Sequence, residues 1–280
     1  MTVRGAPTVA MLLDWAFGEP PAALHPTVWM GRAISTVPRG SFTDGLATLL
    51  GVTLASAAIA RLVPRALEPI ALKPALSLRA LLEAGAVVEH ALLAGDLVEA
   101  RRLLSYHLVS RDVTNLDASH VAGAAISSLA ENLNDSVVAP LLAYRLGGLP
   151  TAYAYRAINT ADAMLGYRTP ELEWFGKPAA RADDIVNWIP ARLTALLIAI
   201  ASGAPRESLN VARADARRCP SPNGGWPMAA MAGALGVVLV KRGVYTLHAR
   251  GRHPAPTDLA RARRVTALAA ALATALVEVT

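Results

Sequence analysis

Residues Leu46–Val63 form a long apolar stretch whose only charged side chain, Arg61, lies close to its end. A helix needs about 20 residues to cross the ~30 Å hydrocarbon core of a bilayer. The stretch therefore predicts a membrane-spanning helix, with Arg61 able to reach the interface. Only 17% of the 280 residues are charged and 54% are hydrophobic, whereas soluble domains have about 25% charged residues. Much of the surface is expected to face lipid.

The other apolar segments extend this prediction to an all-α, multi-pass membrane protein, because their apolar residues are chiefly Ala, Leu and Val, and Ala and Leu favour helices. Ile185–Gly203 is a second predicted span. Four segments are short for a perpendicular span: Val9–Phe17, Val137–Leu149, Trp226–Val240 and Val265–Val279. The sequence has no internal repeat and no low-complexity linker, so residues 1–280 are expected to form a single domain.

Residues 81–109 have the pattern of two amphipathic helices. Leu81, Val88 and Leu92 recur at helical spacing, and Gly95 and Asp96 mark the end of one helix and the N-cap of the next. We expect this helical hairpin to lie outside the bilayer, in the cytoplasm.

Basic residues indicate the orientation. They cluster on both sides of Trp226–Val240, from Arg206 to Arg218 and from Lys241 to Arg264, as is typical of cytoplasmic loops. Trp226–Val240 is therefore expected to dip into the cell membrane and return, and the active site is expected on the cytoplasmic side. These loops also explain the net charge of +6, so nucleic-acid binding is not expected. The N-terminal apolar run lacks a small-residue cleavage site and is interpreted as retained.

Three groups of polar side chains lie at the edges of apolar segments, where carboxylates are costly and therefore functional candidates. The first group comprises Ser110, Arg111, Asp112, Glu131, Asn132, Asn134 and Asp135, the second Asn159, Thr160, Asp162, Gly166, Tyr167 and Arg168, and the third Arg181, Asp183, Asp184, Asn187, Trp188, Pro190 and Arg192. We expect the three groups to converge on one polar site.

Helical spacing predicts how these side chains meet. Glu131 and Asp135 are four residues apart, so they are expected to share one helix face. Their mutual repulsion favours a bound cation, Mg²⁺, or an arginine between them. Asp183 and Asn187 are likewise expected on one face, with Asp184 turned aside.

Several common motifs are absent from the sequence. It contains no GxxxxGK[ST] phosphate loop, no GxGxxG, no HExxH and no GxSxG. Its single cysteine, Cys219, excludes an intramolecular disulfide and a multi-cysteine metal cluster. His25 precedes Pro26 in a predicted tight turn, and its chemistry alone favours a structural role.

Seven long segments follow one another in a familiar order. They are LLDWAFGEPP (Leu12–Pro21), HPTVWMGR (His25–Arg32), SRDVTNLD (Ser110–Asp117), AENLNDSVVAP (Ala130–Pro140), AINTADAMLGYR (Ala157–Arg168), FGKPAARADDIVNWIPARLTALL (Phe175–Leu197) and NGGWPMAAMAGALGV (Asn223–Val237). Along nearly its whole length the chain resembles the CobD/CbiB cobalamin-biosynthesis proteins, also called adenosylcobinamide-phosphate synthases.

The resemblance implies a multi-pass membrane enzyme of the corrin pathway. This family joins aminopropanol, free or phosphorylated, to a propionate carboxyl of adenosylcobyric acid and gives adenosylcobinamide or its phosphate. It therefore implies a carbon–nitrogen ligase that uses ATP and Mg²⁺ on a corrinoid substrate, in contact with the lipid bilayer. Whether the protein works as a homo-oligomer or with other corrin-pathway proteins stays open.

The resemblance also implies roles for individual residues. The catalytic candidates are Asp183, Asp184, Glu131 and Asp162, and the metal ligands are Glu131, Asp135, Asp162 and Asp183; substrate binding is expected from His25, Arg111, Asp112, Asn132, Asn159, Tyr167, Arg168, Arg181, Asn187 and Arg192. The chain departs from the family pattern in two places. Glu19 stands where the family often has Asp, and Lys241–Pro254 has fewer glycines.

Two other classes of protein are considered. The first is a membrane prenyltransferase that binds Mg²⁺-diphosphate through two aspartate-rich motifs of matched spacing, which Asn159, Asp162 and the Asp183–Asp184 pair imitate only loosely. The second is an AmpE-like membrane sensor without catalytic activity. A sensor need not keep the acidic groups as a set, so their presence favours catalysis.

Overall fold

The computed structural model describes residues 2–167 and 169–279, which are mainly helical. The helices are α1 Ala6–Phe17, α2 Pro26–Ser35, α3 Phe42–Arg61, α4 Glu68–Leu72, α5 Leu78–Leu93, α6 Leu97–His107, α7 Ala118–Leu133, α8 Ala139–Leu165, α9 Lys177–Val186, α10 Trp188–Ala201, α11 Pro205–Asp215, α12 Gly225–Leu235 and α13 Asp258–Val279. A short antiparallel hairpin joins β1 Leu239–Lys241 to β2 Tyr245–Leu247. Among the described segments, this hairpin is the one exception to the all-α prediction.

Contacts divide the chain into two compact units. Unit 1 consists of Met1–Ser77, Asp135–Asn187 and Thr274–Thr280, and unit 2 consists of Leu78–Asn134 and Trp188–Ala273. Each unit combines segments that are distant in sequence. This division does not decide whether the units fold independently, so the single domain expected for residues 1–280 stays a prediction.

Helix α3, in unit 1, is the one described helix that is long and apolar enough to cross a bilayer unbroken. It begins with a capping box between Ser41 and Asp44, whose side chains each accept the other's backbone N–H. Leu54 is 66% exposed, as expected of a helix that faces lipid. A Cβ added to Gly45 would overlap the carbonyl oxygen of Phe175, so this close approach requires glycine.

The second predicted span, Ile185–Gly203, is not one continuous helix. Helices α9 and α10 are long and apolar enough to cross a bilayer only when they are counted together as a bent pair. Asn187 separates the two helices. The described residues thus contain one candidate span, or two if the bent pair counts as one, so the multi-pass prediction is not confirmed. Helix α1 is apolar but shorter, and α8 is kinked at Gly147 and Gly148.

The predicted helical hairpin is confirmed in unit 2, where α5 packs against α6. Gly95 adopts a positive φ of 75°, and the Asp96 side chain accepts the N–H of Glu99 as an N-cap. Leu81 and Leu104 lie in the core. Its location outside the bilayer stays a prediction.

The segment predicted as one apolar element over Trp226–Val240 is divided in the structure. Helix α12 ends at a left-handed Gly236, with a φ of 68°, and the chain then enters β1. A Cβ added to Gly233 would lie 2.7 Å from the Glu207 carbonyl oxygen of α11. This close approach is the contact that the small-residue pattern of α12 favours.

Candidate active site

The polar site of unit 1 is built from side chains of α8 and α9. The Asn159 side chain donates to Asp183 Oδ1 at 3.4 Å. The Arg156 guanidinium donates to Asn159 Oδ1 at 3.3 Å and to the backbone carbonyl of Asp135 at 3.0 Å. Asn159 of the second predicted group and Asp183 of the third are therefore joined by a hydrogen bond, and Arg156 links Asn159 to the backbone of Asp135.

Asn187 ends α9 and closes the buried side of this site. Its N–H donates to the Asp183 carbonyl at 3.0 Å, which completes the last turn of the helix. Its side chain, 1% exposed, accepts the Tyr155 hydroxyl at 3.0 Å and also hydrogen-bonds to the Asp183 carboxylate. The predicted meeting of Asp183 and Asn187 on one face is thus confirmed.

Burial and neighbouring carboxylates both affect ionisation in this site. Burial raises the pKa of Asp183, and the neighbouring charge of Asp184 adds to this, while hydrogen bonds from Asn187 and Asn159 oppose it. Burial, together with the charges of Asp135 and Asp183, raises the pKa of Tyr155 well above its usual value. Tyr155 is therefore a neutral hydrogen-bond donor beside carboxylates that have amide partners.

Asp135 lies in a π-helical turn, Asn134–Val138, between α7 and α8. A π turn has a wider residue spacing than an α-helix, and the shared face of Glu131 and Asp135 stays a prediction. The π turn has a cause in the sequence: Pro140, four residues after Ser136, has no N–H to donate to the Ser136 carbonyl.

A second charged group in unit 1, which we call the N-terminal charged cluster, consists of Asp14, Glu19, His25 and Lys73. Lys73 Nζ lies 3.4 Å from Asp14 Oδ1 and 3.3 Å from Glu19 Oε2. His25 Nε2 lies 2.9 Å from Glu19 Oε2. His25 Nδ1 accepts the N–H of Thr27 and caps α2, which places the ring proton on Nε2 as a donor to Glu19.

Glu19 is ionised in this cluster. Burial opposes its ionisation, but hydrogen bonds from His25 and Ser77 and the charge of Lys73 outweigh burial and lower its pKa to about 2. His25 was predicted to bind substrate, and its side chain is 13% exposed and engaged within the cluster. The sequence analysis did not predict Asp14 or Lys73 as site residues, although Asp14 lies within the family-like segment LLDWAFGEPP.

Unit 2 holds the remaining members of the first group. Gly224 begins the turn into α12, and a Cβ added there would lie 2.6 Å from Glu131 Oε1, so glycine lets this carboxylate approach the helix N-terminus. Burial, together with the charge of Glu131, raises the pKa of Tyr245 to about 12. Asn132 donates to the carbonyl of Ser128, one turn earlier in the same helix.

Arg192, the predicted anion-binding residue of α10, is held between two aromatic rings. Its guanidinium lies 4.2 Å from the centre of the Trp188 ring and 4.9 Å from that of Trp226. It also donates to the Trp188 carbonyl at 2.6 Å and to Asn223 Oδ1 at 3.3 Å. The structure therefore assigns Arg192 a fixed orientation within unit 2.

The other predicted residues occupy more peripheral positions. Asp112 is exposed and accepts the N–H of Thr114 in a local turn, Tyr167 and Arg181 are exposed, and Arg111, Asp162 and Asp184 are half-buried. Arg168 lies outside the described residues. Among the described residues, no three His, Cys, Asp or Glu side chains form a group that could hold a metal ion. Convergence of all three groups on one site stays a prediction.

Fold and site together define a helical protein with an apolar span candidate and a buried site of carboxylates and amides. A family profile described as CobD/Cbib protein matches residues 7–275. The chain is 42% identical over 281 residues to the cobalamin biosynthesis protein CobD of Rhodobacter capsulatus, covering 90% of this chain and 89% of that protein.

Archaeal proteins are similarly related. The chain is 43% identical over 271 residues to the probable cobalamin biosynthesis protein CobD of Thermococcus kodakarensis, with 92% and 88% of the two chains covered. It is 42% identical over 252 residues to the corresponding protein of Methanothermobacter thermautotrophicus, with 85% and 84% covered. No solved structure matches the chain. The chain belongs to the CobD/CbiB family.

Proposed function

We propose that this protein is a cobalamin-biosynthesis ligase that joins aminopropanol, or its phosphate, to a propionate carboxyl of adenosylcobyric acid. Family membership supports the pathway, because the relatives are named cobalamin biosynthesis proteins. The observation that carries the reaction type is the hydrogen-bonded set of Asp183, Asn159 and Arg156 in unit 1. In this set the Asn159 amide links a carboxylate to a guanidinium, and a reaction between an amine and anionic substrates needs groups of both charges.

The chemistry needs an activated carboxyl group, because an amide formed from a carboxylate and an amine is uphill in water. In our proposal a propionate oxygen attacks the γ-phosphorus of ATP, and ADP leaves with the electron pair of the broken bond. The amine nitrogen then attacks the acyl carbon, and inorganic phosphate leaves. The amine's proton passes to a carboxylate of the site, which we assign to Asp184 because Asp183 already accepts hydrogen bonds from two amides.

Each side chain has a defined task in this scheme. Arg156 holds phosphate or propionate oxygens; its Nε is buried and has no hydrogen-bond partner among the described residues. Asn159 and Asn187 orient the Asp183 carboxylate. Tyr155, which stays protonated, holds the Asn187 side chain in place.

Magnesium suits the donor chemistry of Asp183 and Asp184. Mg²⁺ is commonly bound through one or two carboxylates and completed by water and substrate phosphates. Two adjacent carboxylates fit that pattern, and Asp135 and Asp162 are further candidate ligands. When bound, the ion would neutralise phosphate charge.

The membrane part of the proposal rests on α3. We propose a multi-pass protein of the cell membrane with the site on the cytoplasmic side and the α5–α6 hairpin outside the bilayer. The single unbroken candidate span and its exposed leucines support membrane contact. Cysteines introduced singly into the loops at Arg206 and Arg250 should both react with a membrane-impermeant maleimide from the cytoplasmic side; reaction of one loop from the opposite side would reject this topology.

The decisive assay uses purified protein with adenosylcobyric acid, aminopropanol or its phosphate, ATP and Mg²⁺. We expect adenosylcobinamide or its phosphate by mass spectrometry, with one ADP per product. Asp184→Asn should lower the rate at least about 100-fold, in the range of general acid–base contributions. Asp96→Asn is the matched control, because asparagine is an equally good N-cap for α6. No product with either amine would refute the proposal.

A further inference from the structure

The Arg192 guanidinium is fixed by uncharged groups. Its centre lies 4.2 Å from the centre of the Trp188 ring and 4.9 Å from that of Trp226. Both of its hydrogen bonds use one nitrogen, Nη1, which donates to the Trp188 carbonyl at 2.6 Å and to Asn223 Oδ1 at 3.3 Å. We call Trp188, Trp226 and Asn223 the arginine clamp. The clamp orients Arg192 without neutralising its charge, because none of its three members is ionisable.

Two other arginines of unit 2 are paired with carboxylates inside the protein. Arg252 donates from Nη1 and Nη2 to the two oxygens of Asp258 at 2.6 Å each. Arg263 donates from Nε and Nη2 to Glu89 Oε2 at 3.1 Å and 2.7 Å. The same Nε–Nη2 edge of Arg192 has no hydrogen-bond acceptor among the described residues. A fork of two N–H donors is therefore left for a ligand.

The open edge of Arg192 is accessible from outside the protein. Arg192 is half-buried. In the described part of the chain, the Nε of Arg156 is enclosed without a hydrogen-bond partner, but neither Nε nor Nη2 of Arg192 is. Water can therefore reach this edge, and a ligand with two oxygens can replace that water.

The clamp itself is held by local structure. Trp188 and Arg192 are four residues apart in α10, so their side chains share one face of the helix. Asn223 is 5% exposed, and its N–H donates to Ser221 Oγ at 3.2 Å. The Trp226 N–H donates to the Asn223 carbonyl at 3.0 Å, so one hydrogen-bonded turn at the start of α12 fixes both residues. Arg192 thus loses little further freedom when a ligand binds, which favours affinity.

The geometry of the open edge selects the ligand. The Nε–H and Nη2–H groups of a guanidinium are parallel and match two oxygens of a carboxylate or a phosphate. In the proposed reaction a propionate oxygen must attack ATP, and an oxygen held by arginine is a weaker nucleophile. A phosphate group carries more charge and three acceptor oxygens. The edge therefore suits a phosphate better than the reacting carboxylate.

We propose that the arginine clamp makes Arg192 a phosphate receptor, which binds two phosphate oxygens on its Nε–Nη2 edge. Trp188, Trp226 and Asn223 are positioning residues in this scheme, and Arg192 contacts the ligand. The phosphate comes from the amine donor or from ATP. That it belongs to a substrate rests on the proposed function, whereas the receptor itself does not.

Titration of the full-length protein in detergent with inorganic phosphate, at constant ionic strength, tests the receptor. Two of the five tryptophans contact the Arg192 guanidinium, so phosphate binding should give a saturable change in tryptophan fluorescence. Arg192→Lys keeps the charge but loses the fork, and it should raise the dissociation constant for phosphate at least about 10-fold. Arg192→Met should abolish the change. Arg206→Met, which removes an exposed arginine of the same unit, is the matched control and should bind phosphate like wild type.

Variants of the clamp test the positioning role. Trp226→Leu should weaken phosphate binding about fivefold, because it removes one aromatic face from the guanidinium. Trp226→Phe keeps an aromatic face and should restore most of the affinity. Differential scanning fluorimetry checks that both variants are folded. Equal phosphate affinity of Trp226→Leu and wild type would show that the clamp does not position Arg192.

The KM values of Arg192→Lys identify the source of the phosphate. A KM raised at least about 10-fold for aminopropanol phosphate, with an unchanged KM for ATP, would assign the receptor to the amine donor, and the reverse result would assign it to ATP. Unchanged KM values for both would exclude a substrate phosphate.

Two results would overturn the receptor: no saturable response of the wild type to phosphate, or the same dissociation constant in wild type, Arg192→Lys and Arg192→Met. An inactive wild-type protein would instead count against the proposed function, and the phosphate titration would still decide the receptor.

Discussion

Asp183 in unit 1, which is half-buried, and Asp258 in unit 2, which is buried, have opposite environments. Asp258 accepts two bonds of 2.6 Å from the Arg252 guanidinium and one of 2.8 Å from the Ala255 N–H. Burial opposes ionisation of Asp258, yet these partners lower its pKa. In the part of the chain that the structure describes, Asp183 has only amide partners, and burial raises its pKa.

This difference makes Asp258 a structural carboxylate and Asp183 the better candidate for a role in the reaction. The bidentate pair of Asp258 joins the start of α13 to the segment after β2 and leaves no oxygen for a ligand. Among the described residues Asp183 has amide partners and no ion pair, so a cationic ligand or a metal ion would stabilise its charged form. A carboxylate that has no ion pair among the described residues is therefore a better candidate for chemistry than a buried carboxylate that has one.

The largest expected effect concerns Asp183 itself. Asp183→Asn should reduce amide synthesis by about 1,000-fold, while the thermal midpoint stays the same or rises because a carboxylate whose ionisation is opposed by burial is removed. Product formation and differential scanning fluorimetry in detergent measure the two quantities. Loss of activity together with a lower midpoint would make Asp183 structural, like Asp258.

The next effect is a pH dependence from Glu19. Its pKa falls from 4.5 unfolded to about 2 folded, so its ionisation stabilises the folded state fully above pH 4.5. This contribution, about 3 kcal/mol, is lost as the pH falls from about 4.5 to about 2. The difference in unfolding free energy between wild type and Glu19→Gln should shrink across that window. A constant difference would show that Glu19 is not ionised by its partners.

Asp258→Asn should cost about 2 kcal/mol of unfolding free energy, the range for hydrogen bonds to a charged group. Activity per folded molecule should stay within about threefold of wild type, because no step of the reaction uses this residue. Urea unfolding and the product assay measure both. A loss of activity comparable to that of Asp183→Asn would erase the contrast between the two aspartates.

The smallest effect is expected from Tyr155→Phe. It removes the hydroxyl that Asn187 accepts at 3.0 Å and should cost about 1 kcal/mol of stability. The rate should fall about 10-fold, since Asn187 would orient Asp183 less well. A fully active variant would exclude Tyr155 from positioning the site.

Much of the site of unit 1 could be predicted because helical spacing is a local property. The spacing of Asp183 and Asn187 placed them on one face, and the structure joins them. The span over α3 and the turn at Gly95 and Asp96 followed from equally local signals.

The rest depended on contacts that no local pattern contains. Lys73 follows a leucine and precedes a proline in an ordinary apolar context, and only the fold brings it to Asp14 and Glu19. Tyr155 and Arg156 precede the recognised AINTADAMLGYR segment and gain their importance from partners on other elements. Pro140 was a sequence signal for the π-helical turn, but a prediction from α-helical spacing alone does not use it.

The central claim is that Asp183 and its amide partners form the site of an ATP-dependent amide synthesis. The most direct test is mass spectrometry of adenosylcobyric acid incubated with aminopropanol phosphate, ATP, Mg²⁺ and purified wild-type, Asp183→Asn or Asp258→Asn protein. We predict adenosylcobinamide phosphate from wild type and Asp258→Asn, and none above background from Asp183→Asn. Product from all three proteins at similar rates would contradict the account.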